Sequence, residues 1–178
     1  MENNQSIFET ICRLREEQPG LPYRFQDERT AGQKDVLYVL ASEGIPFWRK
    51  EDLAKECCSI LKDLVNKEET ILTDPVLRHF LEHNPICSYF IELRERVRIT
   101  LEAETGSRER LFHLGMRLAH SGTNPEQVKL GIILLGFFPY DTTKQIMRVL
   151  GHHSEYTLYV LESIQYVFPM QNNFIFEL

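Results

Sequence analysis

Two histidines four residues apart, His79 and His83, come nearest to a metal-ligand spacing in this sequence. On a helix that spacing puts both imidazoles on one face, as a pair of metal ligands requires. Glu82 lies between them, but the order is not His-Glu-x-x-His, because Phe80 holds the second place. A fuller ligand set has to come from elsewhere, with Glu92 or Glu95 as candidates. Two exposed histidines near a helix C-terminus, where the dipole favours them, account for the same pattern. No complete ligand set is evident, so no metal, no cofactor and no copurifying ion are expected.

The other chemically capable residues are sparser. His152 and His153 follow Gly151 at a helix junction. They suit a general base or a pH-sensitive contact, but a polar turn with Ser154 as N-cap is the favoured reading. His113 and His120 stand seven apart with no accompanying Cys or carboxylate pattern. The four cysteines, Cys12, Cys57, Cys58 and Cys87, form no Cys-x-x-Cys pair. There is no Gly-rich phosphate loop, no Gly-x-Ser-x-Gly elbow and no nucleophile–base pairing. No catalytic residue is assigned.

The elements that would position these residues read as helices. Gln5–Glu17 carries Ile7, Phe8, Ile11, Cys12 and Leu14 on one face and stops at Pro19-Gly20. Leu21–Ala31 reads as a loop, and Gln33–Ser42 as a helix capped by Gly44. Ile45-Pro46-Phe47-Trp48 then breaks the pattern. Trp48 is expected to cap the core, with a partner anchor as the sharper alternative. Helices follow over Arg49–Asn66, Pro75–His83 with Asp74 as its cap, Pro85 to about Glu104, and Ser107–His120. On the longest of these, Glu92/Arg96 and Arg98/Glu102 stand at ion-pair spacing. Glu126–Phe138 is apolar on nearly all faces, with Lys129 the only charge after Val128, and this marks a buried central helix. A short helical pattern leads to Gly151, and a last helix runs to Val167. Asn173–Leu178 reads as a packed extended tail. The fold class is all-α: antiparallel helical pairs in a short superhelix or an irregular bundle. The 178 residues fit one domain. A subdivision into residues 1–73 and 74–178 is the alternative.

A loose repeat lies in the C-terminal part. Val128, Gly131, Leu134 and Leu135 are matched 29 residues later by Thr157, Val160, Ser163 and Ile164. Each copy follows a polar turn and precedes an aromatic-proline end. Over roughly residues 107–169 this resembles HEAT/armadillo-type α-solenoid repeats. The resemblance implies helical pairs packed side by side and a tendency to bind other macromolecules.

The function expected is therefore a non-enzymatic interaction or adaptor module whose partner is another protein. The candidate contact surface gathers Tyr140, His152, His153, Tyr156 and Tyr159, side chains with an apolar body and a polar tip. One alternative is a small His-dependent metal-binding protein or enzyme. Another is a winged-helix-like DNA-binding regulator, with Asp35–Cys58 as its first helices and Ser59–Thr70 as the recognition element. The mixed charge of that element and a net charge of −6 argue against nucleic acid as a partner. Met1–Thr10 has no signal-peptide pattern and no apolar run reaches eighteen residues, so a cytoplasmic location away from membranes is expected.

Overall fold

The computed structural model describes residues 6–17, 32, 35–36, 45–67, 70–103, 106 and 108–167. The readings for the loop over residues 21–31, most of the helix over 33–42 and the tail over 173–178 lie outside them. Among the described residues the protein is all-α, with eight α-helices and no strand. They are α1 (Ile7–Glu17), α2 (Phe47–Leu64), α3 (Pro75–His83), α4 (Phe90–Ala103), α5 (Arg108–Ser121), α6 (Pro125–Leu135), α7 (Asp141–Gly151) and α8 (Ser154–Val167). A 3₁₀ turn, Ile86–Ser88, precedes α4.

Local chemistry sets the helix starts. Ser6 and Glu9 form a reciprocal capping box at α1: each side chain accepts from the other's backbone N–H at 3.1 Å. Asp74 accepts from the Leu77 N–H at 2.8 Å and Asn124 from the Glu126 N–H at 2.8 Å. In both cases a proline fills the first turn, where its missing N–H costs nothing. The expected single helix from Pro85 is instead the 3₁₀ turn followed by α4.

Helix α6 is the centre of the molecule. Every residue from Gln127 to Leu135 is buried. Helix α5 packs along one side of α6 and α8 along another, while α3, α4 and the 3₁₀ turn close the rest. Small residues allow these approaches. A Cβ on Gly131 would lie 2.4 Å from the Ala119 backbone nitrogen, and one on Gly136 would lie 2.9 Å from the Ser163 Cβ. Gly115 meets Leu134 and Leu135 while Gly131 meets Ala119, so α5 and α6 run antiparallel. Helices α7 and α8 form the next packed pair. Two consecutive pairs lying side by side are compatible with a repeat-like helical arrangement.

Helix α2 packs on α3 and α4, and α1 packs on α5 and α7. Arg96 does not pair with Glu92. It reaches across to Glu51 on α2 at 2.9 Å, while Arg98 pairs with Glu95 and Glu102 along the exposed face of α4. No helix among the described residues is long and apolar enough to cross a membrane.

Candidate functional site

Helices α2 and α3 leave a groove of about 440 Å³ between them, lined among others by Arg49, Glu56, Ile60, Val76, His79 and His83. Helix α2 is already helical at Phe47, so Trp48 is not part of a connector. It lies nine residues before buried Cys57, which at about 100° per residue is the opposite side of the helix. Trp48 is 64% exposed, its neighbour Phe47 69% and Val76 on α3 60%. The expectation that Trp48 caps the core is thereby corrected: the buried stripe of α2 runs through Leu53, Ala54, Cys57, Leu61 and Leu64. Helix α2 also continues unbroken through Ser59 to Leu64, so residues 59–64 belong to the same helix as residues 47–58.

His79 and His83 share one face of α3 as their spacing requires, with ring centroids 4.2 Å apart. The carboxylate beside them is Glu82, not Glu92 or Glu95. One ligand atom from each of His79, Glu82 and His83 lies within 4.8 Å of the others, and all three residues are exposed. His83 Nδ1 lies 2.9 Å from the His79 carbonyl oxygen, an acceptor, which leaves the ring's lone pair on Nε2.

The expected Tyr/His surface does not assemble. Tyr140 is exposed and stands edge-on to Phe112, with centroids 4.9 Å apart. His152 is half-buried, its Nδ1 2.6 Å from the Arg148 carbonyl oxygen. His153, Tyr156 and Tyr159 are buried, which corrects their assignment to an outer face. The reason is periodic: Tyr156, Tyr159, Val160, Ser163 and Ile164 make one helical stripe, and that stripe faces the core. His153, rather than Ser154, caps α8, its Nδ1 accepting from the Glu155 N–H at 3.2 Å. Burial lowers the His153 pKa, and Glu155 opposes that only in part.

A second constellation surrounds Lys129. Lys129, on central α6, is buried with its ammonium against three carboxylates: Asp35 at 2.7 Å, Glu126 at 2.7 Å and Glu155 at 2.5 Å. Each carboxylate takes a further hydrogen bond, Glu126 and Glu155 through the oxygen turned away from Lys129 and Asp35 through the same Oδ2 that meets it. Glu126 accepts from the Ile86 N–H, Glu155 from the Gly32 N–H, and Asp35 from the Tyr159 hydroxyl, each at 2.7 Å. Glu126 and Glu155 sit in the first turns of α6 and α8, where the helix dipole favours an anion. Gly32 has φ of +73°, and a Cβ there would fall 2.2 Å from the Ser154 carbonyl oxygen, so the position requires glycine. Gly32 and Asp35 are thus clipped onto α6 and α8 through charge.

Chemically, this arrangement fixes a charge rather than activating a nucleophile. Burial works against the Lys129 ammonium, but Glu126 and the hydrogen bonds to Asp35, Glu126 and Glu155 outweigh it and hold its pKa above the ordinary lysine value. A nucleophilic lysine needs the opposite shift. The thiols are equally quiet. Burial pushes Cys58 up to about 11 and Cys87 up to about 12, the latter reinforced by Asp35, and it raises Cys12 and Cys57 as well.

A lone lysine inside an apolar helix was the one sequence signal for this cluster, because a buried charge must find partners. Glu126, three residues before it, is visible at helical spacing. Asp35 and Glu155 are brought in only by the fold. In comparisons with protein-family models, with curated proteins and with solved structures, none matches this chain.

Proposed function

We propose that this protein is a non-enzymatic, cytoplasmic interaction module, built on HEAT-like helical pairs, whose contact surface is the α2–α3 groove and the first turn of α2. The observation that carries the reading is the adjacent pair Phe47 and Trp48, each about two-thirds exposed on a helix whose opposite side is fully packed. Single exposed apolar residues are ordinary on protein surfaces. Phe47 and Trp48 are two neighbouring large aromatics exposed in the first turn of α2, with Val76 exposed on α3, and aromatic side chains of this kind anchor protein interfaces. The groove between α2 and α3 supplies polar points in Arg49, Glu56, His79 and His83. The protonated thiols and the charge-locked Lys129 support the non-enzymatic side of the reading.

Trp48 is the only tryptophan in the chain, so it reports on its own surroundings. Its fluorescence should be that of a solvent-exposed indole and should shift to the blue when a captured partner is added back to the purified protein. Phe47→Ser and Trp48→Ser should leave stability within about ±0.5 kcal/mol, as exposed substitutions do. Each should abolish capture of that partner. Capture at unchanged affinity by the double variant would remove the proposed surface.

A further inference from the structure

We infer that His79, Glu82 and His83 form a labile surface site for a late first-row divalent ion, with zinc the natural occupant. His79 and His83 also line the proposed contact groove, but the ion site concerns the isolated chain and does not rest on the interaction reading. Two imidazole nitrogens and one carboxylate oxygen are the donor set that zinc, copper and nickel favour over calcium or magnesium.

The geometry is close to closed. One imidazole nitrogen from each histidine and one Glu82 oxygen lie within 4.8 Å of one another. A tetrahedral zinc with bonds of ~2.0–2.1 Å needs its ligand atoms about 3.3 Å apart. The remaining adjustment falls on three exposed side chains at the end of α3, which can turn without disturbing the core. The protein has already made one choice that metal sites make. His83 Nδ1 is engaged with the His79 main-chain carbonyl, which orients the ring and leaves the lone pair on Nε2, as an outer-shell partner does for a ligating histidine. The backbone that carries the three ligands is fixed independently. Asp74 caps the helix N-terminus, and the Asn84 side-chain amide donates to the Phe80 carbonyl at 2.9 Å at its other end.

Three ligands from one helix leave the rest of the coordination sphere to water, or to a donor carried by whatever enters the groove. That accounts for the labile character: the ion is held in one turn of helix and not enclosed. It also separates this site from the other group of carboxylates. At Asp35, Glu126 and Glu155 the Lys129 ammonium already sits among the oxygens and satisfies them.

The test is isothermal titration of the full chain with zinc chloride, alongside His79→Ala, His83→Ala and Glu82→Gln, with His113→Ala as the control. The expected result is uptake of one ion per chain. It should be retained in the control and weakened in either histidine variant by at least the about 10–100-fold that loss of even an outer-shell partner costs. Nitrogen-15 shifts of the imidazoles should show zinc on Nε2 of His83, with Nδ1 still protonated. Absence of saturable uptake overturns the inference. So does uptake of unchanged affinity in the His79→Ala/His83→Ala double variant, which places the ion elsewhere.

Discussion

Replacing Lys129 with methionine isolates the charge at the centre of the fold, since the stem stays nearly as long and only the ammonium is lost. The three contacts run from 2.5 to 2.7 Å. At an effective dielectric constant of ~20, each is about 6 kcal/mol of gross attraction. The three carboxylates, with oxygens within 4.8 Å of one another, repel by at least about 3.5 kcal/mol per pair on the same scale. Attraction therefore exceeds repulsion only while the ammonium is present. In Lys129→Met the repulsion remains uncompensated, and each carboxylate responds by binding a proton or turning towards water. That relaxation limits the loss to about 3–5 kcal/mol, the usual cost of removing one partner from a buried ion pair. Urea unfolding at pH 7 should show it as a drop in the midpoint of more than about 1 M. A second arm separates charge from packing. The carboxylates of the variant gain protons more readily in the folded state than in the unfolded chain, so acidification towards pH 5 should narrow its deficit. A loss below about 1 kcal/mol at pH 7, or a deficit that does not change with pH, would refute the electrostatic reasoning.

Other perturbations follow from the packing. Gly131→Ala places a methyl group 2.4 Å from the Ala119 backbone nitrogen, so α5 must move off α6; calorimetry should register a loss of at least about 1–3 kcal/mol. Leu135→Ala, at a fully buried position, should cost about 2–5 kcal/mol by denaturant titration. Tyr156→Ala and Tyr159→Ala should each cost about 3–5 kcal/mol, the range for large buried aromatics, where a surface role would leave stability unchanged. Burial lowers the His153 pKa, so as pH falls the unfolded chain binds a proton there more readily than the folded chain does. Its contribution is complete above the ordinary imidazole pKa of about 6.5 and is lost as pH falls below it, by up to about 1.4 kcal/mol per pH unit. His153→Asn, which keeps a capping acceptor, should flatten that limb of the stability–pH curve.

Periodicity and caps in the sequence were enough for the all-α class, for α3 with its Asp74-Pro75 start, for a central helix around Leu130 and for the close-packing role of Gly131. These are local matters: a stripe of apolar residues at helical spacing and a side chain that satisfies the first turn act within one or two turns of chain. The His79–His83 pair was legible for the same reason, since four residues along a helix fix both side chains on one face. What faces outward at the helix ends was decided by tertiary structure. Trp48 lies opposite the stripe of α2 only because the helix begins at Phe47, and Tyr156 and Tyr159 are buried because α8 turns them onto α6 and its neighbours. The ion cluster depended most on the fold. Asp35 lies 94 residues from Lys129 along the chain. Glu155 belongs to a different helix, and neither partner leaves a mark at any helical or strand period. A buried charge demands a counter-charge, but which residue answers is settled only when the chain has closed on itself.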